Sequence, residues 1–279
     1  MVSKYLIRIF NNNISDAKYC NYKKNICPYL PFGNSWDNTK VKLYQVVKAI
    51  LYRLKTGCQW RQIPLKQFFR TKYSWNSVYS HYRKWCKDGC WQNLWQSLLQ
   101  KHKTLLDMSS VQLDGTHTPA KRGGEAVAYQ GRKSCKTSNM LILSDANGIP
   151  IACSDPIAGN HNDAFELVIN FDNMTDSLQK SGIRYDGLFL NADAGFDTRP
   201  FRDCLVKHDI TDNIDQNKRN GRNDVSFFDD ELYKQRFVIE RTNAWLDAFK
   251  AILVRFETKK SHWKALNMIA FTIILLRQL

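Results

Sequence analysis

The sequence predicts an α/β catalytic domain, with a mixed five-stranded sheet and flanking helices, preceded by a small all-α domain resembling a helix-turn-helix. Three observations predict this. Two short apolar runs, Val111–Asp114 and Gly187–Asn191, read as β-strands, and each delivers an Asp (Asp114, Asp193) at or just past its end. A helical pattern over Asp230–Lys250 carries Glu240, with Arg236 and Tyr233 on nearly the same face. The net charge of +15 is one-sided: residues 1–108 hold 19 Lys and Arg against 4 acidic residues, and residues 109–279 hold 22 of each. A basic module beside a neutral one implies nucleic-acid binding by the first and chemistry by the second.

Residues 1–35 are polar, Asn-rich and broken by Pro28 and Pro31, and read as an N-terminal arm. Residues 36–108 read as the helical DNA-binding domain. Asp37, Asn38 and Thr39 cap a helix running to about Lys55, with Leu43, Val46, Val47, Ile50, Leu51 and Leu54 on its apolar face, and Gly57 ends it. A short helix follows Pro64. Ser74 or Asn76 caps another through about Lys87, Gly89 stops it, and Trp91–Lys103 is a further helix. Arg70, Lys72, Arg83 and Lys84 crowd the helix in the recognition position with His81, and Asn76 stands near its start, where base edges are reached. The tryptophans at 60, 75, 85, 91 and 95 fall at helical spacing and read as core.

Residues 109–279 alternate strands and helices. After the strand at Val111–Asp114 come strands at Thr137–Ser144 and Ile149–Asp155, then a helix capped by Asp163 and running to about Gln179. The Gly187–Asn191 strand, a helix over Thr198–His208, a strand at Ile210–Ile214, the Asp230–Lys250 helix and a last helix from near Ser261 complete the order. Three antiparallel strands, a helix, then alternating strands and helices is a ribonuclease-H-like order. It brings Asp114 and Asp193 side by side, with the Glu240 helix packed across them. Three carboxylates so delivered can surround two divalent cations, which suits phosphodiester chemistry. Lys121, Arg122, Arg132, Lys133 and Lys136 follow the first strand and are placed either to touch DNA or to form a solvated hairpin. The run Lys218-Arg219-Asn220-Gly221-Arg222 reads as a loop that meets DNA on ordering. The eight cysteines form no C-x-x-C pair, and no apolar stretch is long enough to span a bilayer.

The motifs resemble those of a known family, the DDE transposases of bacterial insertion sequences, in the IS-Four/IS-Five superfamily and most like its IS-Five branch. Tyr233, Arg236 and Glu240 match that family's Tyr, two residues, Arg, three residues, Glu signature. Asp193, Gly195, Phe196, Asp197 and Thr198 match its second Asp context, and Asp114, Gly115 and Thr116 its first. The resemblance runs from about residue 37 to 279, although Asp247 stands where the family often has Lys or Arg. It implies DNA cleavage and strand transfer at terminal inverted repeats, using two Mg²⁺ ions for which Mn²⁺ can substitute. Asp114, Asp193 and Glu240 are then the metal ligands, with Arg236 and Tyr233 assisting catalysis. It implies double-stranded DNA, both transposon ends and target, as partner, a homodimer in the assembled complex and a bacterial, nucleoid-associated cytoplasmic location. Two other classes remain: a nuclease of the same fold without strand transfer, which would lack the basic helical module, and a domesticated DNA-binding protein, which would not need all three carboxylates.

Overall fold

The computed structural model describes residues 23–32, 41–217 and 228–279. The Asp37–Thr39 cap, most of the N-terminal arm and the Lys218–Arg222 run lie outside the described residues. In the helical region, α1 (Leu43–Thr56) ends at Gly57, whose φ of 68° closes the helix with an N–H bond to the Arg53 carbonyl. Ser74 starts α2 (Trp75–Lys87) by accepting the Asn76 N–H, and Gly89, also left-handed, separates it from α3 (Cys90–Lys101). Apolar residues at three- and four-residue spacing (Val46, Ile50 and Leu54; Val78, Tyr82 and Trp85; Trp91, Trp95 and Leu98) form the core of this region.

Among the described residues nine strands follow: β1 (Ser110–Gly115), β2 (Thr118–Pro119), β3 (Ala128–Gln130), β4 (Cys135–Asn139), β5 (Leu141–Asp145), β6 (Pro150–Cys153), β7 (Ile157–Ala158), β8 (Phe189–Ala192) and β9 (Thr211–Ile214). The main sheet is mixed and five-stranded, in the order β6-β5-β1-β8-β9. β5 runs antiparallel to β1 and β6, whereas β8 and β9 run parallel to β1. Numbered along the chain these strands stand 3-2-1-4-5, the ribonuclease-H-like arrangement expected. Helix α4 (Leu167–Lys180) links the two halves and meets α5 (Arg199–Lys207), with Phe171 edge-on to Phe201 at 5.2 Å.

Three elements differ from expectation. The strand expected over Thr137–Ser144 is two strands in two sheets: β4 pairs with β2, β3 and β7, and β5 joins the main sheet. The chain crosses at Met140, whose N–H and carbonyl both pair with Thr116 beyond the end of β1. Second, Asp163 caps no helix. Its carboxylate turns to Asn139 and His117, and α4 begins only at Leu167, behind Glu166 with a φ of 49°. Third, the long helix expected over Asp230–Lys250 is broken into α6 (Asp230–Lys234), a 3₁₀ turn (Gln235–Phe237), α7 (Val238–Asp247) and α8 (Lys250–Leu253).

Helix α9 (Lys260–Leu276) has 14 of its 17 residues buried, so it is covered on all sides. It packs on α1, α2, α3, α7 and β6, with Trp95 against Phe271 at 5.8 Å and the Tyr82 hydroxyl donating to the His262 carbonyl. Among the described residues no helix is long and apolar enough to cross a membrane.

Candidate active site

The sheet register builds the site. Gln112 of β1 pairs with Asn191 of β8, which pairs with Asn213 of β9. Their side chains form a fully buried amide ladder: Asn191 Nδ2 donates to Gln112 Oε1 at 2.9 Å and Asn213 Nδ2 to Asn191 Oδ1 at 2.7 Å. Side chains two apart on a strand share a face. Asp114 and Asp193, each two residues beyond a ladder amide, therefore stand on the ladder's face at the ends of adjacent strands, and Asp114 feels the charge of Asp193. Asp193 also accepts the Gly195 N–H at 2.8 Å, which fixes the tight turn that follows. Asp197 is buried and accepts from Arg202 Nε at 2.8 Å, and that guanidinium also reaches Asp212.

The ladder also holds the segment carrying the third carboxylate. Asn213 bonds the Asp229 backbone in both directions, and Ser110 Oγ donates to Gln235 Oε1 at 3.2 Å. Burial raises the Tyr233 hydroxyl, Arg236 pulls the other way, and Asp215 and Asp193 add to the rise, so Tyr233 stands on the Asp193 side. Arg236 lies over the Tyr233 ring at 5.5 Å. A 3₁₀ turn advances about 120° per residue against about 100° in an α-helix, so the break at Gln235–Phe237 rotates Glu240 away from the line of Arg236. Glu240 is exposed. The α7 residue that touches Asp114 is Asn243, one turn later, at 3.3 Å from Oδ2. Asn243 escaped the sequence reading, though its i+3 spacing from Glu240 was visible. The amide ladder left no such signal.

Burial pushes Asp114 up to about 6, and the charges of Asp193 and Asp163 add to this against the Gly115 N–H and Asn243. Among the described residues, no Lys or Arg forms an ion pair with it. Crowded, half-buried carboxylates without a cation form a hard-oxygen donor set short of positive charge, which fits magnesium or manganese. For a carboxyl raised in the fold, the proton stabilises the native state. That stability is fully present below the ordinary value of 3.8 and is lost as pH rises through about 6. Metal-free Asp114→Asn should therefore melt several degrees above wild type at pH 7.5, corresponding to about 2–3 kcal/mol at most, and converge with it near pH 4. Thermal melts in chelator read this out; equal midpoints at pH 7.5 would show that crowding exerts no force.

The candidate DNA contacts Arg70, Lys72, Asn76, Arg83, Lys84, Lys121, Arg122, Arg132, Lys133 and Lys136 are all exposed. Lys133 donates to the His117 carbonyl at 2.7 Å, at the rim of a cavity of ≈ 360 Å³ beside Gly115 and Asn243. Arg122 meets the helical region across a groove of ≈ 820 Å³, lined also by Trp60, Arg61, Trp75, Tyr79 and Phe256. His81 is buried in α2, so it is not a phosphate contact. Trp85, Trp91 and Trp95 are core, as expected, whereas Trp75 is 39% exposed in the groove.

Residues 113–277 match the family described as "DDE superfamily endonuclease", and residues 21–95 match that described as "Putative transposase of IS4/5 family". No curated protein sequence matches the chain. Among solved structures it is similar to the piggyBac transposase synaptic complex with hairpin DNA, at 10% identity over 99% of this chain and 74% of that one, with a TM-score of 0.49. It is also similar to the Mos1 transposase paired-end complex with left transposon end, at 12% identity over 99% and 91%, with a TM-score of 0.29.

Proposed function

This chain belongs to the DDE superfamily endonucleases and is a DNA transposase of the IS4/5 superfamily; from that premise we propose that Asp114, Asp193 and Glu240 hold two Mg²⁺ ions, with Mn²⁺ able to replace them. The observation that supports this is the register that brings Asp114 and Asp193 to adjacent strand ends, with no Lys or Arg ion-paired to Asp114 among the described residues. Bound there, the divalent ions activate the attacking oxygen and relieve charge on the leaving one. Asp114, which feels the charges of Asp193 and Asp163, would be the central holding group of the set. Asn243 orients its Oδ2. Arg236 and Tyr233, on the Asp193 side, steady the scissile phosphate. The DNA is the terminal inverted repeat, held by residues 36–108 together with Arg122, Arg132, Lys133 and Lys136. Two protomers bring two ends together at the nucleoid.

Direct binding tests the DNA reading. A fragment of residues 1–108 is unsuitable, because α9 completes the helical core, so the full chain is used. Its affinity for a terminal-repeat duplex should fall about 10³-fold or more between 50 and 200 mM salt, as expected for about six phosphate contacts or more. Arg122→Ala should weaken binding and flatten the salt slope by about one contact. A flat salt response would overturn the assignment of the basic region.

A further inference from the structure

Asp163 stands at the edge of the carboxylate pair in a setting its loop does not require. It makes no helix cap, and its Oδ1 accepts from Asn139 Nδ2 at 2.6 Å and lies 3.5 Å from His117 Nε2. His117 Nδ1 faces the Gln130 amide nitrogen at 3.1 Å. An amide nitrogen only donates, so Nδ1 is the accepting nitrogen and the ring's N–H is the Nε2 side, which faces Asp163. The carboxylate is pressed on the residue that follows Asp114: a Cβ built on Gly115 would stand 2.1 Å from Asp163 Oδ1 and 2.6 Å from its Cγ. Asn139 and His117 thus aim an acidic group at the end of β1, where its charge reaches Asp114. No Lys or Arg side chain is ion-paired with it among the described residues; Arg132 acts only at longer range. Asn139, buried completely, also has its own Oδ1 without a hydrogen-bond partner among the described residues, a further oxygen acceptor beside Asp163.

We propose that Asp163 is a fourth carboxylate of the cation-binding face, adding its charge to that of Asp114 in holding the divalent ion, with Gly115, His117 and Asn139 fixing its place. This rests on the divalent-ion reading above. The test is calorimetric titration of Mn²⁺ into the DNA-free, full-length protein. Asp163→Asn keeps an acceptor oxygen for Asn139 and His117 but loses the charge. It should bind Mn²⁺ about tenfold more weakly, with its chelator melting midpoint preserved. Gly115→Ala should displace the carboxylate and reproduce the loss, and the double variant should lose nothing further. Wild-type Mn²⁺ affinity in Asp163→Asn, alongside a clear loss in Asp114→Asn, would overturn this proposal alone. Wild-type affinity in Gly115→Ala would do the same. If wild type itself shows no Asp114-dependent Mn²⁺ binding, both this proposal and the reading beneath it fall.

Discussion

Asp193→Ala should lower the single-turnover cleavage rate of a terminal-repeat duplex by about 10⁴-fold or more, because losing an ion from the site removes several kcal/mol of transition-state stabilisation. Asp114→Ala should do the same. DNA affinity should change by no more than about threefold, since phosphate contacts elsewhere supply most of it. Glu240→Ala is the more searching case. Glu240 is exposed on α7 while Asn243, one turn on, touches Asp114, so a severe loss requires Glu240 to reach the ions from the flank of its helix. Wild-type cleavage by Glu240→Ala would remove it from the site, and wild-type cleavage by either Asp variant would sink the metal reading.

Arg53→Met should destabilise the fold by about 3–5 kcal/mol. Arg53 of α1 and Glu257, just ahead of α9, form an ion pair of 2.6 Å whose side chains are 4% and 6% exposed. The guanidinium also lies over the Trp60 ring at 5.1 Å. Removing one partner strands the other charge in the interior, whereas replacing both with apolar residues of similar volume removes the desolvation cost as well. Glu257→Leu should therefore be as damaging as Arg53→Met, and the Arg53→Met/Glu257→Leu double variant should recover much of the loss. Denaturant unfolding of the three variants measures the coupling. Additive losses would show that the two charges act independently.

The strand ends carrying Asp114 and Asp193 were legible because each closes a short apolar run, a local signal. The break at Met140 was not, because Thr137–Ser144 contains no Gly or Pro and the split is made by Thr116, a tertiary partner. Asp163 misled for a related reason: an Asp ahead of an apolar helical pattern looks the same whether it caps the helix or reaches across to Asn139. The break in the Asp230–Lys250 helix likewise has no local breaker; Gln235, at the 3₁₀ turn, is bonded to Ser110 of β1. Exposure of the ten candidate DNA contacts is compatible with their role and with a solvated face alike, since composition fixes charge but not what meets it.

The Gln112–Asn191–Asn213 ladder separates two properties that a site of carboxylates would otherwise confound. Amide side chains neither gain nor lose protons across the range in which Asp114 titrates. Acid thus discharges Asp114 while the amides that tie the strands behind it keep their bonds. On the proposed divalent-ion site, inactivation by mild acid should be a loss of cargo rather than of alignment, and activity should return on neutralisation without refolding.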